Sequence, residues 1–216
     1  MRTVLKLSNI KQQPLPEKFA ADDVRYTEEF VRLFVVEYSR VGDLVVDPFS
    51  GFGTTVRVAE QMGRIAYGIE YDEERVSFAR GLVKHPDRIV HGDSRDFAAL
   101  DLPGEIALTL TSPPYMGKHH KENPFTAYST MGGGYAAYLA DIVKIFAQIK
   151  LRTRTGGHAV IEIANLKHDD APNTTLAWDV AKALGDVWEF LGETVIEWTP
   201  TYGFGYDHSY ALIFRK

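Results

Sequence analysis

From residue 27 onward, short apolar runs alternate with amphipathic segments, and that alternation leaves very few architectures open. "YTEEFVRLFVVEYSRVGD" sets Phe30, Leu33, Phe34 and Tyr38 at helical spacing, with Thr27 placed to cap the start and Gly42 to mark the end. "DLVVDPFSGFGTT" reads as a strand, a glycine turn and a helix start, and "TTVRVAEQMG" supplies the helix. The same reading gives strands in "RIAYGIEYD", "DRIVHGDSRD", "GEIALTLTSPPY" and "HAVIEIANL", with helices between most of them. "ETVIEWTPTY" and "SYALIFRK" close the chain as an antiparallel pair. Strands that alternate with helices predict a parallel sheet wrapped on both faces. The expectation is an α/β fold over residues 26–216: a single doubly wound, mostly parallel seven-stranded sheet with an antiparallel C-terminal hairpin. Residues 1–25, with Pro14 and Pro16, read as an N-terminal arm. The long irregular segment 116–134 reads as a mobile loop serving function.

Composition removes several chemistries. The chain has 216 residues and no cysteine, so disulfides, thiolate zinc sites and a cysteine nucleophile are excluded. No apolar run approaches 18 residues and no basic-then-apolar opening is visible, so neither a membrane span nor a secretory signal is expected. A cytoplasmic setting is the resulting expectation. The formal net charge of −5 does not favour nonspecific attraction to nucleic acid, so any such contact must use a local basic patch.

Three acids and a glycine turn then fall at strand ends. In "DPFSGFGTT", Gly51 and Gly53 permit tight turning and close approach of a ligand, and Thr54 and Thr55 open the next helix. Asp47 and Phe49 lie at the carboxyl end of the strand, where ligands settle in open α/β sheets. No lysine precedes the threonines and Val56 replaces the third glycine of the dinucleotide fingerprint, so this is neither a phosphate loop nor that fingerprint. Glu70 ends the next strand and can accept from two ribose hydroxyls; Asp93 ends the third and offers a further acceptor. The set suits a ligand with an amine, a ribose and an adenine.

Ser112–Pro113–Pro114–Tyr115 ends the fourth strand at the same edge. Prolines hold their predecessors extended. The Ser112 hydroxyl and the Pro113 carbonyl are therefore placed to converge on one –NH₂ group, with Tyr115 offering a face for a planar ring.

"DPFSGFGTT" followed by "TSPPY" resembles the S-adenosylmethionine-dependent DNA amino-methyltransferases, the N4-cytosine/N6-adenine family. The resemblance extends over about residues 25–216. It implies a Rossmann-like methyltransferase with S-adenosylmethionine as cofactor and DNA as substrate. Asp47, Phe49, Gly51 and Gly53 would line the methionine side, with Thr54 and Thr55 beginning the adjoining helix. Glu70 would hold the ribose and Asp93 the adenine amine. Thr27 and Phe30 would flank the methionine, and Ser112, Pro113, Pro114 and Tyr115 would form the base pocket. Only the Tyr115 ring, not its hydroxyl, is invoked. Within the family TSPPY goes more often with N4-cytosine and DPPY with N6-adenine. A methylated cytosine N4 is the expected product, with adenine N6, an RNA amine such as guanine N2, or silent cofactor binding as alternatives. The length leaves no separate target-recognition domain, so the loop at 116–134 would meet the substrate. In it, Lys118, His119, His120 and Lys121 are expected to grip phosphate. Adjacent histidines point apart, and no metal site is expected. Phe204 and Tyr206 either border the pocket or cover the hairpin.

Overall fold

The structure, a computed structural model, describes residues 2–20 and 23–216; Met1, Ala21 and Asp22 of the expected arm lie outside the described residues. Central strands buried along their whole length, such as Leu44–Asp47 and Ile106–Thr111, build one eight-stranded sheet with a hydrophobic layer on each face. Its strands are β1 (Val4–Ser8), β2 (Leu44–Asp47), β3 (Ile65–Glu70), β4 (Ile89–His91), β5 (Ile106–Thr111), β6 (Thr153–Ile163), β7 (Glu189–Thr199) and β8 (His208–Arg215). Their order across the sheet is β1-β7-β8-β6-β5-β2-β3-β4. β8 pairs antiparallel with β6 and β7, and the other pairings are parallel.

The helices are α1 (Glu17–Ala20), α2 (Glu28–Tyr38), α3 (Thr54–Gln61), α4 (Glu73–Arg80), α5 (Gly134–Arg152) and α6 (Leu176–Gly185). Val45, Leu110, Val160 and Ile213 turn toward Phe30, Phe34, Val56 and Val76 of α2, α3 and α4. Val46, Ile161 and Leu212 turn the other way, toward Ile142, Phe146, Val180 and Leu184 of α5 and α6. Adjacent residues on one strand thus feed opposite layers, as the two-residue repeat of a strand requires.

The sheet has one strand more than the seven expected. In the arm, Val4, Lys6 and Ser8 are exposed, Leu5 is partly buried and Leu7 is buried. That period-two pattern pairs with β7, Val4 opposite Val195 and Ser8 opposite Thr199. Beyond β1 the arm stays tied down. The backbone N–H groups of Gln12 and Gln13 donate to the buried Glu28 carboxylate at 2.9 and 3.0 Å, and Arg57 closes an ion pair with Glu28 at 2.5 Å. Phe19 of α1 packs on Phe52 of the glycine turn, ring centroids 5.1 Å apart.

β2, β3, β4 and β5 all end on one edge, and the chain reverses its direction of travel across the sheet between β2 and β5. That switch point is where an open α/β sheet leaves a crevice. Close packing there depends on Gly68 in β3. A Cβ at this position would lie 2.7 Å from the Ser50 Cβ and 2.9 Å from a Val56 methyl. Gly68→Ala is therefore expected to lower stability by about 1–3 kcal/mol through overpacking. Urea unfolding should show an earlier midpoint at an unchanged slope.

Candidate active site at the sheet edge

The site is organised around Asp47, the last residue of β2, which is 2% exposed. Its Oδ1 accepts from the Thr111 hydroxyl at 2.6 Å and from the Phe49 backbone N–H at 3.1 Å; its Oδ2 accepts from the Tyr26 hydroxyl at 3.1 Å. Tyr26 also shares a hydrogen bond with Thr55 at the start of α3. The bond from Thr111 joins the strand that carries the glycine turn to the strand that carries Ser112–Tyr115. Burial pushes the Asp47 carboxyl from 3.8 up to about 6, although hydrogen bonds from Thr111, Thr55, the Phe49 N–H and Tyr26 favour its charged form.

The glycine turn rises from this knot. Gly51 and Gly53 take φ of 51° and 77°, the left-handed region that a side chain disfavours. A Cβ on Gly51 would meet nothing within 4 Å, so open space lies above the turn. Glu70 braces it from β3: Oε2 accepts from the Gly51 N–H and Oε1 from the Asp72 N–H, both at 2.8 Å. Burial raises the Glu70 carboxyl above its ordinary value. Each oxygen keeps a lone pair for a ligand hydroxyl. Phe49 stacks on Phe125 at 5.7 Å, which brings the 116–134 loop over the turn.

Asp93 stands at the same edge, but its carboxylate is already bound. Arg95 donates to it from the side chain at 2.6–3.0 Å and from the backbone N–H at 2.9 Å. Burial alone would raise the Asp93 carboxyl; the Arg95 bonds outweigh it and hold it low. Thr27 and Phe30 are both buried, and the contacts they make are within the protein. The Thr27 side chain caps α2 by accepting from the Phe30 N–H at 3.4 Å, and Phe30 is wholly buried between Tyr26, Phe34 and Trp198. An aromatic on the inner face of an amphipathic helix is core packing. The neighbour that does reach the site is Tyr26.

The acceptor side departs most from the sequence expectation. The Tyr115 hydroxyl is not free. It donates to Glu162 Oε2 at 3.3 Å, lies 3.1 Å from the Tyr202 hydroxyl and accepts from the Ala164 N–H at 3.0 Å. Its ring packs on Phe204 at 5.1 Å, so Phe204 borders the pocket. Tyr206 lines a neighbouring recess of about 530 Å³ with Lys167, Thr201 and His208, and the Lys167 ammonium sits 4.4 Å over its ring. The sequence motifs do not point to Glu162, Tyr202 or Tyr26 as site residues, and they include Thr111 only as the first letter of TSPPY, without a role. Of these, Glu162 does leave a signal: a lone acid in the apolar strand "HAVIEIANL".

The loop 116–134 is packed against the body. Met116 and Phe125 are buried, and the Tyr128 hydroxyl donates to the Tyr115 carbonyl. Lys118 is exposed, and its ammonium pairs with Asp179 at 3.1 Å and donates to Thr175 at 3.2 Å. His119 and His120 cluster with His168, ring centroids 5.5 and 6.3 Å apart, and Lys121 is exposed. Among the described residues no group of three or more His, Asp or Glu is placed to hold a metal ion. Among them, too, no helix is long and apolar enough to cross a membrane.

The architecture is that of the Rossmann-like methyltransferases. TrmN from Thermus thermophilus superposes with a TM-score of 0.63 at 18% identity, over 92% of this chain and 51% of that one. A TehB-like S-adenosylmethionine-dependent methyltransferase from Corynebacterium glutamicum gives 0.57 at 15% identity, over 92% of each chain. In sequence, residues 7–80 match the family model described as DNA methylase. The type II methyltransferases M.BglII of Bacillus subtilis and M.SmaI of Serratia marcescens are 38% identical over 55 residues and 39% over 72. These stretches cover 26% and 33% of this chain but only 15% and 24% of those proteins. Over residues 7–80, which hold the glycine turn, the chain resembles the DNA methylases in aligned sequence as well as in motif.

Asp47 gives a pH signature. Its folded-state value near 6 lies above its ordinary 3.8. The penalty for burying its charge is absent while both states are protonated, and it grows as pH rises through about 4 to 6. Relative to Asp47→Asn, the wild type should lose about 3 kcal/mol of stability between about pH 3 and about pH 7. Urea unfolding of both proteins across that range measures the difference. A constant difference would mean that Asp47 titrates alike in the folded and the unfolded chain.

Proposed function

We propose that this chain transfers a methyl group from S-adenosylmethionine to the exocyclic amine of a flipped base in DNA, with cytosine N4 the preferred acceptor. The observation that carries the reading is the Thr111–Asp47 hydrogen bond, which sets the glycine turn and the Ser-Pro-Pro-Tyr motif side by side on one crevice. The residues present fit the cofactor. Glu70 keeps lone pairs above a braced turn, Gly51 has open space over it, and Phe49 offers an aromatic face. Asp93 can accept an amine only alongside its Arg95 bonds, through the lone pairs those leave. When bound, the cofactor supplies an electrophilic methyl on a sulfonium.

The chain's own residues act on the acceptor. An exocyclic amine is a poor nucleophile because its lone pair is delocalised into the ring. The Ser112 hydroxyl and the Pro113 carbonyl would each accept one of its N–H groups, which favours a pyramidal nitrogen with its lone pair directed at the methyl. Alignment of this kind supplies much of the rate. The methylated nitrogen then sheds a proton, and no strong base is needed. In a duplex the base must first leave the stack.

Serine rather than aspartate in the motif, together with the resemblance, favours cytosine N4 over adenine N6. Three experiments test the reading. Incubation with labelled cofactor and separate DNA and RNA pools, followed by nucleoside mass spectrometry, should yield N4-methylcytosine from DNA. N6-methyladenine alone would overturn the base assignment, and methylated RNA with untouched DNA would overturn the substrate class. Ser112→Ala should lower turnover far more than cofactor affinity, since it acts where charge develops on nitrogen. Glu70→Ala should weaken cofactor binding by about 1.5–3 kcal/mol, the worth of a charge-assisted hydrogen bond, as read by titration calorimetry.

A further inference from the structure

Glu162 sits in β6 and is 0% exposed. The register that sets Thr111 opposite Ile161 brings Ser112 beside it on the neighbouring strand. Its Oε2 accepts from the Tyr202 hydroxyl at 3.0 Å and from Tyr115 at 3.3 Å, while Oε1 receives no well-formed hydrogen bond among the described residues. Burial raises its carboxyl, and the Ser209, Tyr202, Ser112 and Tyr115 hydroxyls offset part of that shift. Lys11 of the arm acts on it through charge without forming an ion pair. A buried acid whose Oε1 lacks a well-formed hydrogen bond is a poor stabiliser, because apolar packing would fill the same space at less cost. Its placement calls for another explanation.

That explanation lies in what its oxygen holds. Tyr115 comes after two prolines, beyond the end of β5, where no strand pairing fixes its ring. A carboxylate, a hydroxyl and a backbone N–H converge on its far end instead: Glu162 from β6, Tyr202 from the β7–β8 connection and Ala164 just past β6. Phe204, from the same connection as Tyr202, packs against the ring. We propose that Glu162 and Tyr202 are positioning residues for the acceptor pocket, which act through the Tyr115 hydroxyl to fix the ring on which the target base stacks. The inference rests on the methyl-transfer reading above, and it makes the hydroxyl of Tyr115 matter as well as its ring.

The test uses the full chain with Glu162→Gln, Tyr202→Phe, Tyr115→Phe and the double variant Tyr115→Phe/Tyr202→Phe. Transfer of labelled methyl to the nucleic acid that the wild type modifies should fall about tenfold or more in kcat/KM for each single variant, the order expected from a small misplacement. Cofactor Kd should stay within about twofold. The double variant should fall no further than the worse single one, because both substitutions remove one linkage. Losses that multiply, or single variants within about twofold of wild type while Tyr115→Ala is inactive, would overturn the clamp. A second readout needs no turnover. In protein labelled with 3-fluorotyrosine, the Tyr115 resonance is the one missing from Tyr115→Phe. It should be narrow in the wild type and broadened or shifted in Glu162→Gln and Tyr202→Phe. If the wild type methylates neither DNA nor RNA, the functional reading fails, and the fluorine resonance still decides the clamp: an unchanged signal in both variants sinks it.

Discussion

The hydrogen bond from Thr111 to Asp47 spans the switch point of the sheet, and the arrangement of the crevice depends on it. β2 and β5 are neighbours in space, yet β3 and β4 lie between them in the chain. Backbone pairing fixes the two strands side by side but does not fix the segments that leave their carboxyl ends. The shared carboxylate does. One oxygen of Asp47 holds both the last residue of β5 and the first bend of the glycine turn, and the other holds Tyr26 just ahead of α2. Burying that carboxylate is unfavourable, and the donors converging on it offset the cost.

A second buried carboxylate flanks β5 from the other side. β5 lies between β2 and β6. Asp47 on β2 binds the end of the strand, and Glu162 on β6 binds the tyrosine four residues further on. The segment between, Ser112–Pro113–Pro114, is stiffened by its own prolines. Three different constraints thus act on one short stretch: a polar knot, two rings that fix φ, and a hydroxyl clamp. Acid residues are costly to bury on both sides, and each instead organises a piece of chain that has left the regular sheet.

Electrostatics on the outer side are less one-sided than the run "GKHHKEN" implies. Asp179 on α6 pairs with Lys118, and Arg95 pairs with Asp93, so one cation and one anion expected to serve ligands also have partners within the protein. Elsewhere on this side Lys121 is exposed, His119 and His120 lie beside His168, and Lys167 sits over Tyr206.

The sequence alone determined the layered α/β order, the antiparallel closing pair, the strand-end positions of Asp47 and Glu70 and the place of Ser112–Tyr115 just past β5, whereas Asp93, expected to end a strand, caps the turn of helix that follows β4. Those features arise from local periodicity and turn chemistry, which act over a few residues. It also placed Gly51 and Gly53 where backbone conformation demands glycine. Tertiary structure alone decided that Val4–Ser8 is an edge strand, because so short an alternation acquires meaning only when β7 offers it a partner. It decided that Phe30 is core and that Tyr26 is the residue reaching Asp47, since helical spacing marks an inner face without saying what that face meets. It brought Glu162 and Tyr202 to the Tyr115 hydroxyl across 47 and 87 residues of chain. No local rule carries that information: hydrogen bonds between distant residues exist only once the strands that bear them have been placed in order.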